Sequence, residues 1–388
     1  MGAAMMTEIE ILERLVGFDT VSRNSNLPLI DFVRDYLAGL GIPSTIIPDA
    51  TGTKANLFAT IGPADRPGIL LSGHTDVVPV DGQSWSSDPF RLMRDGDTLF
   101  GRGTADMKGF IACVLAILPQ IDACALRQPL HLALSYDEEV GCYGVPGIVD
   151  HMRQAGLRPA VAFVGEPSLM GVVTGHKGSC GLQTRVEGLA YHSSRSDRGV
   201  NAIVHATELL GLLHRRAGLL ADDPREAGPF EPPYSTIGVG VIRGGIARNT
   251  IPDLCSFDWD IRAIRAGLVE EVLRELDRFA ESHVLPVMRR RYPEAAIVTK
   301  IVYDVPPLLP RANDAAEHLG KRLAWRNDTG TVAYGSEAGF FQAAGIPTVI
   351  CGPGSIDQAH AADEWIGIDQ LAACMAFLHR LVGHASGE

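Results

Sequence analysis

The chain has 388 residues, 46% hydrophobic and 21% charged, a composition of ordinary globular protein with room for two domains or one domain with an insertion. A formal charge of −12 argues against nucleic acid and anionic membrane as partners, and no apolar run approaches the ~20 residues that span a bilayer. The seven cysteines (Cys113, Cys124, Cys142, Cys180, Cys255, Cys351 and Cys374) are far apart and never form a Cys-x-x-Cys pair, so a cytoplasmic protein without a disulfide framework is expected.

The opening "MGAAMMTEIEILERLVGFDT" lacks the basic start and apolar core of a signal peptide, and Met6 stands where a myristoylation start has Ser or Thr. Ile9, Leu12, Leu15 and Val16 follow helical spacing, predicting a helix over about 7–18. "PLIDFVRDYLAGLG" predicts a second at 28–40, stopped by Gly41 and Pro43. Strands are expected near 44–47, 55–61, 68–73, 130–135 and 160–164, with helices in "KGFIACVLAILPQI" and "GVPGIVDHMRQAG". This alternation implies an α/β domain: a mixed, mostly parallel sheet with helices on both faces.

From about residue 179 the rhythm changes. "SCGLQTRVEGLA", "YSTIGVGVIRGG", "LCSFDWDIRAI" and "AIVTKIVYDV" read as strands. "VNAIVHATELLGLLHRRAGLL" and "LVEEVLRELDRFAESHVLPVMRRR" read as helices between them. The order β-α-β-β-α-β is that of a ferredoxin-like α+β domain. After "DVPPLLP" the helix–strand alternation resumes with "AAEHLGKRLAW" and "IPTVICG". The expected organisation is a catalytic domain of residues 1–178 and 306–388, interrupted by an inserted domain at 179–305.

The outer domain carries polar clusters at the ends of its apolar segments. In "LLSGHTDVVPV", His74 and Asp76 lie two apart on a strand and face one side, where burial is costly without compensation. "GRGTADMKG" adds Asp106, "YDEEVG" adds Asp137, Glu138 and Glu139, "VGEPS" adds Glu166, and "GPGSIDQAHAADEW" adds His360. Strand C-termini of an open α/β sheet converge on one crevice, and acids gathered there repel one another unless cations sit among them. Two divalent metals about 3.5 Å apart need a bridging carboxylate and at least two further ligands each. Asp106 can bridge, with His74 and Glu166 completing one metal and Glu139 and His360 the other. Such donors suit zinc and also accept cobalt or manganese. Asp76 then orients the His74 ring, and Glu138 is left over to deprotonate a metal-bound water.

Singly, Asp106 or Glu166 reads as a loop acid or helix cap, and "DEE" as a solvated face. Together they supply a full ligand count with one base to spare. Two other signals are set aside. "GRGTAD" lacks the third glycine of a dinucleotide loop, and Cys142 has no histidine arranged to activate it as a nucleophile.

"SGHTDVVP", "GRGTADMKG" and "DEEVG" together resemble the motifs of the metal-dependent aminoacylase and carboxypeptidase family that includes acetylornithine deacetylase and succinyl-diaminopimelate desuccinylase. The resemblance covers nearly the whole chain. It implies a zinc-exopeptidase-like fold with a dimerisation (lid) domain inserted, the ligand and base roles given above, and a cis peptide after Asp106. It further implies that His192, in "AYHSSRSDRGVNAI", stabilises the oxyanion in a partner subunit of a homodimer. Asn249 and Arg262, in "GGIARNTIPDLCSFDWDIR", are implied as substrate contacts, and a guanidinium fork suits an α-carboxylate.

"GHKG", "YGSEAGFFQAAGIPTVICGPGS" and "QAHAADEW" look closest to the acetylornithine deacetylases, which implies removal of the N-acetyl group from N2-acetyl-L-ornithine. The desuccinylase pattern Ser-Asp-Gly-Arg is replaced by Ser336, Glu337, Ala338 and Gly339, removing a cation suited to a succinyl carboxylate. Ser336 and Glu337 are expected to contact the substrate, Glu337 as a partner for its ammonium. The competing readings are a broader N-acyl-amino-acid amidohydrolase, the desuccinylase, a dipeptide carboxypeptidase, and a catalytically inactive assembly relative.

Overall fold

The computed structural model describes residues 6–388, so the acylation reading of the first residues lies outside the described part. The chain divides into two units. The first runs to Gly175 and takes up again at Leu308–Thr331 and Ser336–Glu388; the second is His176–Pro307 with Val332–Gly335. The divisions thus fall within three residues of the expected 178/179 and 305/306, with four further residues assigned to the second unit.

The first helix, Glu8–Val16, opens on a capping box in which Thr7 and Glu10 satisfy each other's backbone amides. Ile11, Leu12, Leu15 and Val16 form its buried stripe. Leu27–Gly39 follows, with Pro28 in its first turn. Among the described residues, eight strands form one sheet. Its order is Ser44–Pro48, Ala55–Ile61, Leu130–Ser135, Ile69–His74, Val161–Pro167, Thr348–Gly352, Val173–His176 and Gly330–Val332. The four strands from Leu130–Ser135 to Thr348–Gly352 are mutually parallel. Ala55–Ile61 is antiparallel to both its neighbours, and Val173–His176 to Thr348–Gly352. The parallel centre therefore sends four strand C-termini to one edge.

The helix Gly109–Ile117 is buried along its whole length, as its all-apolar sequence requires. Its Phe110 ring packs so closely on Gly165 that a Cβ there would lie 2.0 Å from the ring. Several elements were not expected, the strands Val173–His176 and Gly330–Val332 among them. A 19-residue helix, Ile368–Ser386, closes the chain; Ala338–Ala343 is a short helix; and Trp365–Gly367, Thr98–Phe100 and Met93–Asp95 form a small antiparallel sheet. No described helix is long and apolar enough to cross a membrane.

The second unit has the strand Gly178–Glu187, the helix Ala202–Asp222, the strands Thr236–Gly244 and Leu254–Ala263, the helix Leu268–Phe279, and the strand Ala296–Val305. The sheet is antiparallel, in spatial order second, third, first, fourth. On Leu254–Ala263 burial alternates strictly, and Cys255, Phe257, Trp259 and Ile261 join Leu209, Leu213, Val272 and Leu276 in its core. The long helix expected through 291 widens into a π turn at Ala280–Val284 before Leu285–Arg289. Pro286 cannot donate to the carbonyl four residues back, so the regular helix is interrupted there.

Candidate metal centre

Each of the four parallel strands delivers part of one cluster. His74 ends its strand in register with Ser135, after which the neighbouring chain turns through Asp137, Glu138 and Glu139. Glu166 is the penultimate residue of Val161–Pro167, and Thr348–Gly352 leads into the loop bearing His360. Asp106 enters from the turn before the buried helix, and its peptide bond to Met107 is cis.

His74 Nε2 lies 3.0 Å from Asp106 Oδ1 and 3.7 Å from Glu166 Oε1. His360 Nε2 lies 3.2 Å from Asp106 Oδ2 and 3.0 Å from Glu139 Oε2. The two oxygens of Asp106 thus face different histidines, and each histidine has one further acid. Candidate ligand atoms of His74, Asp106 and Glu139, and of His74, Glu138 and Glu166, each fall within 4.8 Å of one another.

Electrostatics tests whether the set fits cations. Burial, reinforced by neighbouring acids, pushes Glu138 and Glu166 well above the carboxylate range. Burial first and the charge of Asp106 second raise Glu139 to about 7. Burial pulls His74 downward, but its hydrogen bond to Asp106 and the charges of Glu166 and Asp106 carry it well above normal. Hydrogen bonds to Asp106 and Glu139 raise His360 to about 10. Burial would raise Asp106, yet its contacts with His360 and His74 hold it below the usual range. Four acids around two imidazoles call for added positive charge, and Glu139 Oε1 is buried without a hydrogen-bond partner. The donor set fits two divalent cations.

Asp76 acts differently from the expectation. The His74 ring donates from Nδ1 to the Asp76 backbone carbonyl at 2.9 Å, while the nearer carboxylate oxygen is 3.7 Å away. That carboxylate is engaged elsewhere: Oδ1 accepts from the Glu138 amide at 3.0 Å, and Oδ2 from the Glu139 amide at 3.3 Å and Ser22 Oγ at 2.7 Å. Its side chain therefore sets the acid turn, and its backbone sets the ring.

Glu364 was missed from the sequence. Its Oε1 accepts from the Ala105 and Asp106 amides at 2.9 and 3.0 Å, and its Oε2 from the Gly103 amide at 2.9 Å and from Arg102 at 2.7 Å. Arg102 continues to Gln83, whose amide donates to the His360 carbonyl at 2.7 Å. One buried acid thus braces the Asp106 turn and, through two residues, the His360 loop. A lone Glu in "DEW" carries no signal of this.

Cys142 is no nucleophile: burial pushes its thiol well up, and Sγ lies 3.4 Å from Glu138 Oε1 as a donor. Ser336 and Glu337 correct another expectation. Both are fully buried. Ser336 Oγ accepts from the Ala338 amide, and Glu337 Oε2 accepts from Ser135 Oγ at 2.7 Å, so this acid is held within the fold rather than offered to an ammonium.

The other expected residues stand on the second unit. His192 is exposed on a two-residue strand paired with Thr250–Ile251, and its Nδ1 accepts from the Ser194 amide at 3.2 Å. Asn249 is exposed, and its carbonyl accepts from the Ser193 amide. Arg262 is half-buried and donates from Nε to Asp260 at 2.9 Å.

Comparison with known proteins bears on this arrangement. The chain is 34% identical over 362 residues to an acetylornithine deacetylase of Pasteurella multocida (strain Pm70), spanning 92% of this chain and 91% of the other. It is 36% identical over 367 residues to that of Shigella sonnei (strain Ss046), spanning 92% of each. Its fold is similar to that of an M20 family metallo-carboxypeptidase from Sulfolobus solfataricus, at 17% identity and a TM-score of 0.72 over 99% of this chain and 100% of that one. The family model for peptidase family M20/M25/M40 matches residues 70–384. With its acid cluster intact and most of its length matched, the chain belongs to the M20/M25/M40 peptidase family and is a hydrolase of amide bonds.

Proposed function

We propose that the protein removes the acetyl group from N2-acetyl-L-ornithine, giving L-ornithine and acetate, with two divalent cations, zinc best suited and cobalt or manganese acceptable. The observation carrying this is that relatives named acetylornithine deacetylase match at 33–36% identity across at least nine-tenths of the chain. Ala338 and Gly339, without the arginine of the desuccinylase pattern, support an acetyl over a succinyl group.

His74, Asp106 and Glu166 would hold one cation, and Asp106, Glu139 and His360 the other. Bound there, the cations supply Lewis acidity for the amide carbonyl and lower the pKa of water. Glu138 accepts a proton from the attacking water as the C–O bond forms, and returns it to the departing α-amine as the C–N bond breaks. Arg262 and Asn249 bind the substrate's carboxylate end. His192 supports an oxyanion in the neighbouring subunit of a homodimer. Because its Nδ1 accepts an amide hydrogen, Nε2 carries the proton that such a role requires. The edge strand Thr236–Gly244, with Val239, Val241 and Ile242 exposed, is a suitable pairing surface. All seven cysteines are free, six of them buried, which supports a cytoplasmic enzyme.

The test is kcat/KM for N2-acetylornithine, N-succinyl-diaminopimelate and N-acetylmethionine on the metal-loaded enzyme. The acetylornithine value should be the highest. A higher value for either competitor would replace this substrate assignment.

A further inference from the structure

The turn that carries Glu138 is closed on itself. The Gly141 and Cys142 amides donate to the Glu138 carbonyl at 3.0 and 3.1 Å, Tyr143 to Asp137 at 3.2 Å, and Gly144 to Tyr136 at 3.0 Å. These bonds shape the turn without fixing its attitude toward the cluster. Asp137, which opens it, has φ of 56°, a left-handed conformation that a residue with a side chain adopts at some cost.

Lys54 pins that residue. It precedes the strand Ala55–Ile61, its side chain is 15% exposed, and its ammonium donates to the Asp137 carboxylate and the Ser22 carbonyl. Ser22 Oγ donates to the Asp76 carboxylate that receives the Glu138 and Glu139 amides, so a ring closes through Lys54, Asp137, the acid turn, Asp76 and Ser22. The segment holding Ser22 is itself fixed. Ser22 donates its amide to the Val77 carbonyl at 3.2 Å, and Val77 to Thr20 at 3.1 Å. Asn26 exchanges two bonds with the Ala55 backbone at 2.8 and 3.0 Å, which ties it to the residue after Lys54.

We infer that Lys54 is a positioning residue for the general base: by holding Asp137 against the Thr20–Asn26 segment, it fixes the direction in which the next residue, Glu138, projects. This rests on reading Glu138 as the base. A base displaced by a fraction of an ångström loses rate rather than substrate affinity, and ~1 Å can cost up to two orders of magnitude.

The experiment uses the full-length chain and whichever of the three amides it hydrolyses fastest. Lys54→Met should lower kcat on the order of 10-fold with KM little changed and two metals retained, and Lys54→Arg should restore most of the rate. In the metal-free protein, Lys54→Met should speed amide hydrogen exchange across residues 137–144 by roughly 10-fold, leaving the buried helix Gly109–Ile117 unchanged. In a Glu138→Gln background the same substitution should cost nothing further. Wild-type kcat and exchange in Lys54→Met would overturn the inference, as would an equal loss in the Glu138→Gln background. If Lys54→Met does not fold, Asp137→Asn reads the same contact. Full activity of Glu138→Gln would instead overturn the base assignment, and the exchange measurement would still decide whether Lys54 holds the turn.

Discussion

The polar residues of the first unit and those of the inserted unit are held in opposite ways. His74 is completely buried, Asp106 is 5% exposed and Glu166 4%, and the turns bearing the acids are braced by Asp76 and Glu364 through backbone amides. His192 and Asn249 are exposed on short pairings, and Arg262 has one carboxylate contact. Charges that must share cations need fixed mutual distances, which a buried frame supplies. Residues proposed to meet a substrate or a second subunit must stay accessible. His360 lies between these cases: its side chain is 53% exposed, yet the Gln83–Arg102 link holds its backbone.

This contrast can be broken most sharply at Asp106. Asp106→Ala removes a ligand from both proposed positions, so bound metal should fall at both and activity should drop below detection, whereas Glu166→Ala should weaken mainly one. Metal analysis with anomalous scattering would read this, and double occupancy in the Asp106 variant would refute the bridge. On the inserted unit, His192→Ala should cost ~100-fold or more in kcat, the scale of a lost oxyanion donor. Mixing that chain with an inactive Glu138→Ala chain should restore about a quarter of wild-type activity after random exchange, because half the sites in mixed dimers are complete. No recovery after verified exchange would place the action of His192 within its own chain or nowhere.

Glu364→Gln sharpens the comparison from inside the buried frame. It sets an amide against donors that face a carboxylate, and should weaken metal affinity or activity by ~10–100-fold, the scale of outer supporting residues. An unchanged affinity would show that the Asp106 turn needs no brace. The smallest effect concerns stability. Burial lowers His131 to about 4, while the unfolded chain titrates near ~6.5. Between those values the unfolded state binds more protons, so the contribution of neutral His131 is complete above pH ~6.5 and is lost as the pH falls toward 4. A denaturation series comparing wild type with His131→Phe should show up to ~3 kcal/mol less acid-side loss in the variant. Parallel pH curves would remove His131 from the account.

The same difference governs what the sequence discloses. Strand ends rich in acid and histidine are legible because their polar residues interrupt apolar runs, as His74 and Glu166 do, and a ligand count joins them. The split β-α-β order of the insertion is legible because its strand Leu254–Ala263 alternates strictly and its helices keep their period. The closing helix Ile368–Ser386 has the same kind of spacing, with Leu371, Cys374, Phe377, Leu378 and Leu381 buried, yet lies beyond the last element expected. The three-residue strands around Thr98–Phe100 are too short for any period to emerge. Glu364 is a different case: its donors are 258 to 262 residues away in sequence, and only the fold brings them together. Glu337 shows the reverse, a position that reads as a substrate contact and is enclosed beside Ser135.

The central claim is that the buried cluster divides into cation ligands and a separate base, with Glu138 alone in the second role. Counting metals in purified Glu138→Gln beside its kcat tests this directly. The expected result is two divalent ions per chain, as in wild type, with kcat lower by at least ~100-fold. Loss of bound metal together with activity would move Glu138 into the ligand set, and a wild-type rate would remove it from the reaction.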